Sequence, residues 1–306
     1  MDYLFVAAGL LALFFGGEAL VRGSVGLANR LGIPPLLIGL TVVGFGTSTP
    51  ELLVSMDAAL RGEPDIAIGN VIGSNIANIL LILGLTCLIW PIQVSGSTLR
   101  RDVTVMMIAT LLLLPIFALA EVSRVSGALL VTGLIGYLTW AYLAAGKTPA
   151  HPDMQIAGPT AFASALWLLG GLAVLLLGAR FLVDGAASIA RGFGVSEAFI
   201  GLTIVAIGTS LPELTTSVIA AMRRQSDIAI GNVIGSNIFN LLGILGVTAM
   251  ITPIPLASRF ARFDLPILIA VTAFIAAALL LRPRLGRWLG VVMLTGYAAY
   301  VVTALG

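Results

Sequence analysis

The sequence predicts an all-α polytopic membrane protein, with ten transmembrane helices arranged as two inverted five-helix repeats. The first observation is composition: 59% of the 306 residues are hydrophobic and only 10% are charged, which is too apolar for a soluble protein. The second is a series of about ten apolar stretches, most of them near the length of roughly 20 residues that spans a bilayer as a helix. The third is an internal repeat at a constant offset of 162 residues.

The apolar stretches follow one another along the whole chain. Met1, Asp2 and Tyr3 lack the basic start of a signal peptide, so we interpret the first stretch as helix 1. A β-barrel would need segments of alternating polarity, and these runs do not alternate. The expected spans are 3–21, 35–60, 66–90, 103–120, 125–145, 160–183, 197–222, 228–251, 265–281 and 288–305.

Two blocks carry the repeat. Residues 39–55 read GLTVVGFGTSTPELLVS and residues 201–217 read GLTIVAIGTSLPELTTS, with 11 of 17 positions identical. The block DIAIGNVIGSNIAN at 65–78 returns at 227–240 with a single difference. Because each repeat contains five helices, an odd number, the second unit should enter the membrane upside down relative to the first.

The repeats occupy residues 1–145 and 160–306, and a polar, proline-containing segment at 146–159 reads as a cytoplasmic linker. If the N-terminus is outside, ten of the 16 Lys and Arg residues fall in cytoplasmic loops, which agrees with the positive-inside rule. We therefore expect both termini on the periplasmic or extracellular side. The net charge of +2 is assigned to orientation in the lipid bilayer, and no nucleic acid partner is expected.

Each repeat places one glutamate, Glu51 or Glu213, directly after a proline in apolar sequence. Carboxylates at membrane depth are costly and indicate function by default. Two of them in duplicated, Gly/Pro-broken segments predict an ion site at the interface between repeats. Pro50 and Pro212 should kink their helices and set the glutamates in the first turn of a new half-helix. The carbonyls expected to be freed by these kinks belong to Gly44, Phe45, Ala206 and Ile207.

The polar side chains around the two glutamates offer oxygen and no sulfur or imidazole, a set that suits hard cations such as calcium. Two carboxylates carry −2, which neutralises one calcium ion or two sodium ions. One pocket that holds either load is suited to exchange, and no cofactor is expected. The hydroxyls are those of Thr47, Ser48, Ser74, Thr209, Ser210 and Ser236, and the amides are those of Asn78 and Asn240.

Several alternatives stay open at this stage. Small and hydroxylated residues also serve close helix packing, and Asn70 and Asn232 are either ligands or braces for the broken helices. An intramembrane enzyme should show an HExxH or Asp-rich motif, and the sequence has neither, with His151 as its one histidine. A passive cation channel would be separated from a transporter by its flux.

These blocks resemble the α-repeats of the cation/calcium antiporter superfamily, specifically those of prokaryotic members of its sodium/calcium exchanger branch. The resemblance implies alternating access to a central cluster of cation sites, electrogenic exchange of about three sodium ions for one calcium ion, and movement of the first and sixth helices. It also implies a location in the inner (plasma) membrane. The implied ligand positions are Gly44, Thr47, Ser48, Glu51, Ser74, Asn78, Ala206, Thr209, Ser210, Glu213, Ser236 and Asn240.

Two positions refine this resemblance. The proton/calcium branch carries Gly-Asn-Ala in the first motif, whereas this chain has Thr47 and Ser48 before its Pro-Glu pair, which favours sodium as the driving ion. Potassium-dependent relatives carry Asp where this chain has Asn240. A proton- or potassium-coupled antiporter of calcium or another divalent cation on the same fold is the alternative. The sequence leaves the oligomeric state open, and a monomer is sufficient for transport.

Overall fold

The computed structural model describes residues 2–93, 97–144, 160–194, 206–281 and 284–305. The linker at 146–159 and residues 197–205 of the seventh expected span lie outside the described residues. Within these ranges the protein is helical, with four two-residue strands.

Twelve labels cover the described helices. The first half contains α1 (Asp2–Leu31), α2 (Pro35–Thr47), α3 (Thr49–Leu60), α4 (Pro64–Ile89), α5 (Ser97–Ala118) and α6 (Arg124–Ala144). The second half contains α7 (Ala161–Gly192), α8 (Ala206–Thr209), α9 (Leu211–Met222), α10 (Ser226–Ile251), α11 (Phe260–Leu281) and α12 (Arg287–Leu305). The strands are β1 (Ile92–Gln93), β2 (Glu121–Val122), β3 (Ile254–Pro255) and β4 (Arg284–Leu285).

Seven of the described helices are long and apolar enough to cross a membrane, and counting the bent pair α2–α3 as one span gives eight. The predicted class, an all-α multi-span membrane protein, is confirmed. Helices α1 and α7 are 30 and 32 residues long, well beyond the expected spans at 3–21 and 160–183. Their additional turns are stabilised by packing of one helix on the other, a contact that hydropathy alone does not reveal.

The α1–α7 contact is lined by glycines. A Cβ on Gly16 would lie 2.6 Å from the backbone nitrogen of Leu175, and one on Gly178 would lie 2.7 Å from that of Leu13. Such spacing lets two helix backbones approach closely, as small residues do in membrane helix pairs. The glycines on this line are Gly9, Gly16 and Gly23 of α1 and Gly171, Gly178 and Gly185 of α7.

Helices α4 and α10, which carry the second repeat block, occupy the centre. In their apolar stretches 72% and 78% of residues are buried, against 28–44% in the other spans. Both helices contain a π-helical turn, at Asn78–Leu83 and Phe239–Ile244. Turns of this kind occur frequently at functional sites.

The strands form two antiparallel pairs, β1 with β4 and β2 with β3. Ile92 is opposite Leu285, and Val122 is opposite Ile254. Each pair joins one half of the chain to the other. The repeat offset carries Ile92 onto Ile254, so the two pairs are related by exchange of the halves.

Candidate cation-binding site

Both motif helices bend just before their proline. Helices α2 and α3 meet at an angle of 43° at Ser48, whose φ is −83° and ψ is 10°. Ser210 has nearly the same backbone angles, −89° and 3°, between α8 and α9. Pro50 and Pro212 follow in the first turn of the next helix, where a missing N–H costs nothing. The predicted breaks are confirmed.

These breaks place the glutamates as predicted, in the first turns of α3 and α9. The positive end of a helix dipole favours a carboxylate at this position. Glu51 and Glu213 are each only 1% exposed, and Oε2 of each has no hydrogen-bond partner. In the part of the chain that the structure describes, neither glutamate forms a salt bridge.

Each glutamate is bound by a serine of the other half. The Ser48 hydroxyl donates to Oε1 of Glu213 at 2.8 Å, and the Ser210 hydroxyl donates to Oε1 of Glu51 at 3.4 Å. The serine at each helix break therefore contacts the glutamate of the other half. Both carboxylates consequently belong to one cluster at the boundary between the halves.

Asn70 and Asn232 act as braces. The Nδ2 group of each donates to the backbone carbonyl of the glutamate in its own half, at 2.9 and 3.1 Å. Each also donates to a serine one helical turn after that glutamate, Ser55 or Ser217, at 2.8 and 2.9 Å. Sequence reasoning missed these two serines, although their identity at the repeat offset was the available signal.

The second blocks bring two further amides to the cluster, because α3 packs against Phe239–Ile244 and α9 packs against Asn78–Leu83. Asn78 and Asn240 are 2% and 1% exposed, yet Oδ1 of Asn78 and both polar atoms of Asn240 have no partner. The hydroxyl of Thr216, which sequence reasoning did not single out, is also buried without one. Buried polar groups are normally hydrogen-bonded, so these unpartnered oxygens make their residues candidate ligands.

The Gly44 carbonyl differs from expectation. It accepts hydrogen bonds from the Ser48 N–H at 3.1 Å, the Ser236 hydroxyl at 3.2 Å and the Thr47 hydroxyl at 3.3 Å. The helical turn continues through Ser48, so this carbonyl is not freed by the break. Ser236 and Thr47 still lie beside it, each fully buried, and Thr47 also approaches Oδ1 of Asn232 at 3.1 Å.

The remaining expected ligands fall around the same breaks. The Phe45 carbonyl accepts from the Thr49 hydroxyl and the Ile207 carbonyl from the Ser210 N–H, so neither is freed as expected. Ala206 begins the described part of α8, and Thr209 ends that helix half-buried. Ser74 is 7% exposed, one turn before Asn78.

The donor set at this boundary is oxygen-rich and low in charge. The described residues contain no group of three or more His, Cys, Asp or Glu side chains. Neutral hydroxyls, amides and carbonyls would therefore supply most of any coordination shell, with two carboxylates supplying the charge. Calcium is bound in proteins by six to eight such oxygens.

Comparison with known proteins agrees with this geometry. A family model described as sodium/calcium exchanger protein matches residues 1–143 and 163–306. The chain belongs to the sodium/calcium exchanger family. The resemblance read from the two motif blocks is thereby confirmed, and the protein is a member of a family of cation/calcium antiporters.

Two prokaryotic relatives match over nearly their whole length. The chain is 41% identical over 291 residues to the putative antiporter CaxA of Alkalimonas amylolytica, covering 93% of this chain and 90% of that protein. It is 30% identical to the sodium/calcium exchanger MaX1 of Methanosarcina acetivorans, covering 99% and 98%. A structure of the sodium-calcium exchanger NCX_Mj, soaked with 10 mM sodium and no calcium, superposes with a TM-score of 0.88 at 33% identity, covering 98% of both chains.

Proposed function

We propose that this chain is a secondary active antiporter that exchanges sodium for calcium by alternating access, with about three sodium ions per calcium ion and net charge movement. The observation that carries the proposal is the crossed pair of buried glutamates, each bound by a serine of the other half. A carboxylate in a membrane interior is retained for ions or protons, and no cationic side chain neutralises these two in the described residues.

Charge balance explains why one pocket would alternate between loads. With both glutamates ionised the cluster carries −2, which one calcium ion or two sodium ions neutralise. A third sodium ion would rest on neutral oxygens and give the site one positive charge. The ligands proposed for these ions are the twelve residues named from the sequence, with the Gly44 carbonyl available only after it exchanges a hydrogen bond. Because both halves of the cluster come from one chain, a monomer is sufficient.

The strand pairs support ten spans in two inverted repeats. Because β1 pairs with β4, both lie at one face of the membrane. The segments between them are α5, α6, α7, the α8–α9 unit, α10 and α11, and only an even number of crossings returns the chain to the same face. A crossing by the α8–α9 unit satisfies this count, which supports five spans in each half with α12 as the tenth.

Aromatic and basic residues support the proposed orientation, with both termini outside and the protein in the inner (plasma) membrane. In a ten-span topology, Trp90, Trp140, Trp167 and Trp288 all lie at the face opposite the termini. Three of them are stacked by arginines, with guanidinium-to-ring distances of 5.4–5.9 Å. Tryptophan is typical of membrane interfaces, and an arginine excess marks the cytoplasmic face.

Calcium uptake into sodium-loaded proteoliposomes tests the function. We expect an outward sodium gradient to drive uptake, and we expect Glu51→Gln and Glu213→Gln each to abolish it. The matched control is Glu63→Gln, which removes an exposed carboxylate outside the cluster and should retain wild-type uptake. The proposal fails if no sodium-dependent uptake occurs, or if both cluster variants transport normally.

The same vesicles separate the coupling ions. Replacing the sodium gradient with a pH gradient, or adding potassium, should not drive or increase calcium uptake. An outward current, with sodium leaving the vesicles as calcium enters, would establish net charge movement. A calcium flux that rises linearly with calcium concentration and does not depend on the ion on the opposite side would identify a passive channel instead.

A further inference from the structure

An apolar groove runs along the outer side of the α1–α7 pair. Its volume is about 390 Å³, within the range of roughly 300–1,000 Å³ typical of small-molecule sites. Phe15 and Ala19 of α1 form one wall, and Leu166 and Trp167 of α7 form the other. Phe15 and Trp167 are 61% and 47% exposed, so the groove opens toward the lipid and not toward the cation cluster.

One end of this groove carries an uncompensated positive charge. The Arg22 guanidinium lies 5.9 Å from the centre of the Trp167 ring. Glu18, one turn earlier on α1, forms a salt bridge with Arg223, the residue that follows α9, at 2.7 Å to Oε1 and 2.8 Å to Oε2. Among the residues that the structure describes, no carboxylate is left to pair with Arg22.

The repeat provides an internal comparison for the shape of the groove. At the offset of 162, Ala19 corresponds to Phe181 and Trp167 corresponds to Phe5. Phe5 and Phe181 stack with ring centres 5.6 Å apart and so occupy the corresponding space. The groove is therefore open at only one of the two equivalent positions.

The charge also differs between the two positions. Asp184 stands where the first half has Arg22, and it pairs with Arg180 at 3.7 Å. Arg180 in turn corresponds to Glu18, whose own partner follows another helix. The filled position is neutral, whereas the open position keeps one unpaired arginine.

We propose that the groove binds one acyl chain of an anionic phospholipid, with the lipid phosphate at Arg22. The occupant follows from the chemistry on both sides: a long apolar trough facing hydrocarbon, ending in a cation beside an interfacial tryptophan. Basic pockets between transmembrane helices bind lipid head groups in this way. Lipid bound here contacts both helices from the outer side of the α1–α7 pair.

Quenching of Trp167 fluorescence by brominated lipid measures this binding directly. The purified protein is titrated in detergent with dibrominated phosphatidylglycerol or dibrominated phosphatidylcholine, and quenching of the Trp167→Phe variant is subtracted. We expect half-maximal quenching at about fivefold lower phosphatidylglycerol than phosphatidylcholine, as one basic residue near an anionic lipid provides. Equal quenching by the two lipids would overturn the proposal.

Substitutions distinguish the contribution of the groove to lipid binding from the contribution of the Arg22 charge. Gly170→Leu fills the groove without a clash, since a Cβ there would meet nothing within 4 Å, and it should reduce quenching by both lipids several-fold. The control variant is Gly136→Leu on α6, at an exposed glycine whose Cβ would also meet nothing within 4 Å. Lipid should quench Trp167 fluorescence in this variant as strongly as in the wild type. Arg22→Gln should remove the preference for phosphatidylglycerol, and Arg22→Lys should keep it. A preference that survives both Gly170→Leu and Arg22→Gln would place the lipid elsewhere.

Discussion

At the scale of the residue, the cluster is held together by donors that point at backbone as well as at carboxylates. Asn232 is the most connected of them. Its Nδ2 group binds the Glu213 carbonyl and the Ser217 hydroxyl, and its Oδ1 faces the Thr47 hydroxyl of the other half. Asn70 makes the first two contacts in its own half. It is only partly buried, whereas Asn232 is fully buried.

This difference predicts unequal effects of the same substitution. Asn232→Ala leaves several buried polar groups without a partner, at a cost of about 1–3 kcal/mol of unfolding free energy. Asn70→Ala should cost less, because a partly exposed site is more readily reached by water. Thermal unfolding in detergent should show a clearly lower midpoint for Asn232→Ala than for Asn70→Ala. Equal shifts would show that the contact between Asn232 and Thr47 adds nothing.

The carboxylates, hydroxyls and amides of the site could be predicted from the sequence because the duplication marked them twice. The sequence could not predict which of these oxygens lack a hydrogen-bond partner. The Gly44 carbonyl was expected to be freed by the break, yet three donors reach that oxygen, among them the N–H of Ser48 at the break itself. The crossing of Ser48 to Glu213 also depends on how the halves meet, and no local pattern contains that information.

At the scale of the element, the α1–α7 pair depends on the position of its glycines. A Cβ on Gly171 would overlap the backbone nitrogen of Leu20 and lie 2.8 Å from the Gly16 carbonyl oxygen. The neighbouring Gly170 lines the open groove, and a Cβ there would meet nothing within 4 Å. A side chain is therefore sterically excluded at Gly171 but accommodated at the adjacent Gly170.

We expect Gly171→Ala to destabilise the protein by about 1–3 kcal/mol, because the two backbones must separate to admit a methyl group. Gly170→Ala should be neutral or stabilising by about 0.5–1 kcal/mol, because alanine favours a helix over glycine. The unfolding midpoints of the two variants give the comparison. A loss of stability in Gly170→Ala as large as in Gly171→Ala would contradict this account of the interface.

Helix type and the broken motif helices could be predicted from apolar length and from proline, but helix ends could not. Helix α1 continues to Leu31 through Arg22 and Asn29, residues that hydropathy places outside a span. Its last turns are held by tertiary packing, as at Gly23 against Leu168. The four short strands had no sequence signal, because two residues are too few for an alternating pattern.

At the scale of the whole molecule, the opposite insertion of the two halves makes a direct prediction. Glu63 and Gln225 occupy equivalent positions before α4 and α10 and should lie on opposite faces of the membrane. In a Cys87→Ala background, which removes the one cysteine, Glu63→Cys should react with an impermeant maleimide on intact cells. Gln225→Cys should react only after permeabilisation. Labelling of both from the same side would rule out inverted repeats.

The paired strands also restrict how such a protein can move. The pair β1–β4 joins the two halves next to α4 and α12. The pair β2–β3 joins them at the turns before α6 and α11. A hinge motion between the two whole halves would have to break the hydrogen bonds of one strand pair each time it opened. Helices α1 and α7 carry no strand in their described residues and are each other's main packing partner. We therefore expect the helices joined by the strand pairs to stay together, and α1 and α7 to move across them, as the resemblance implies.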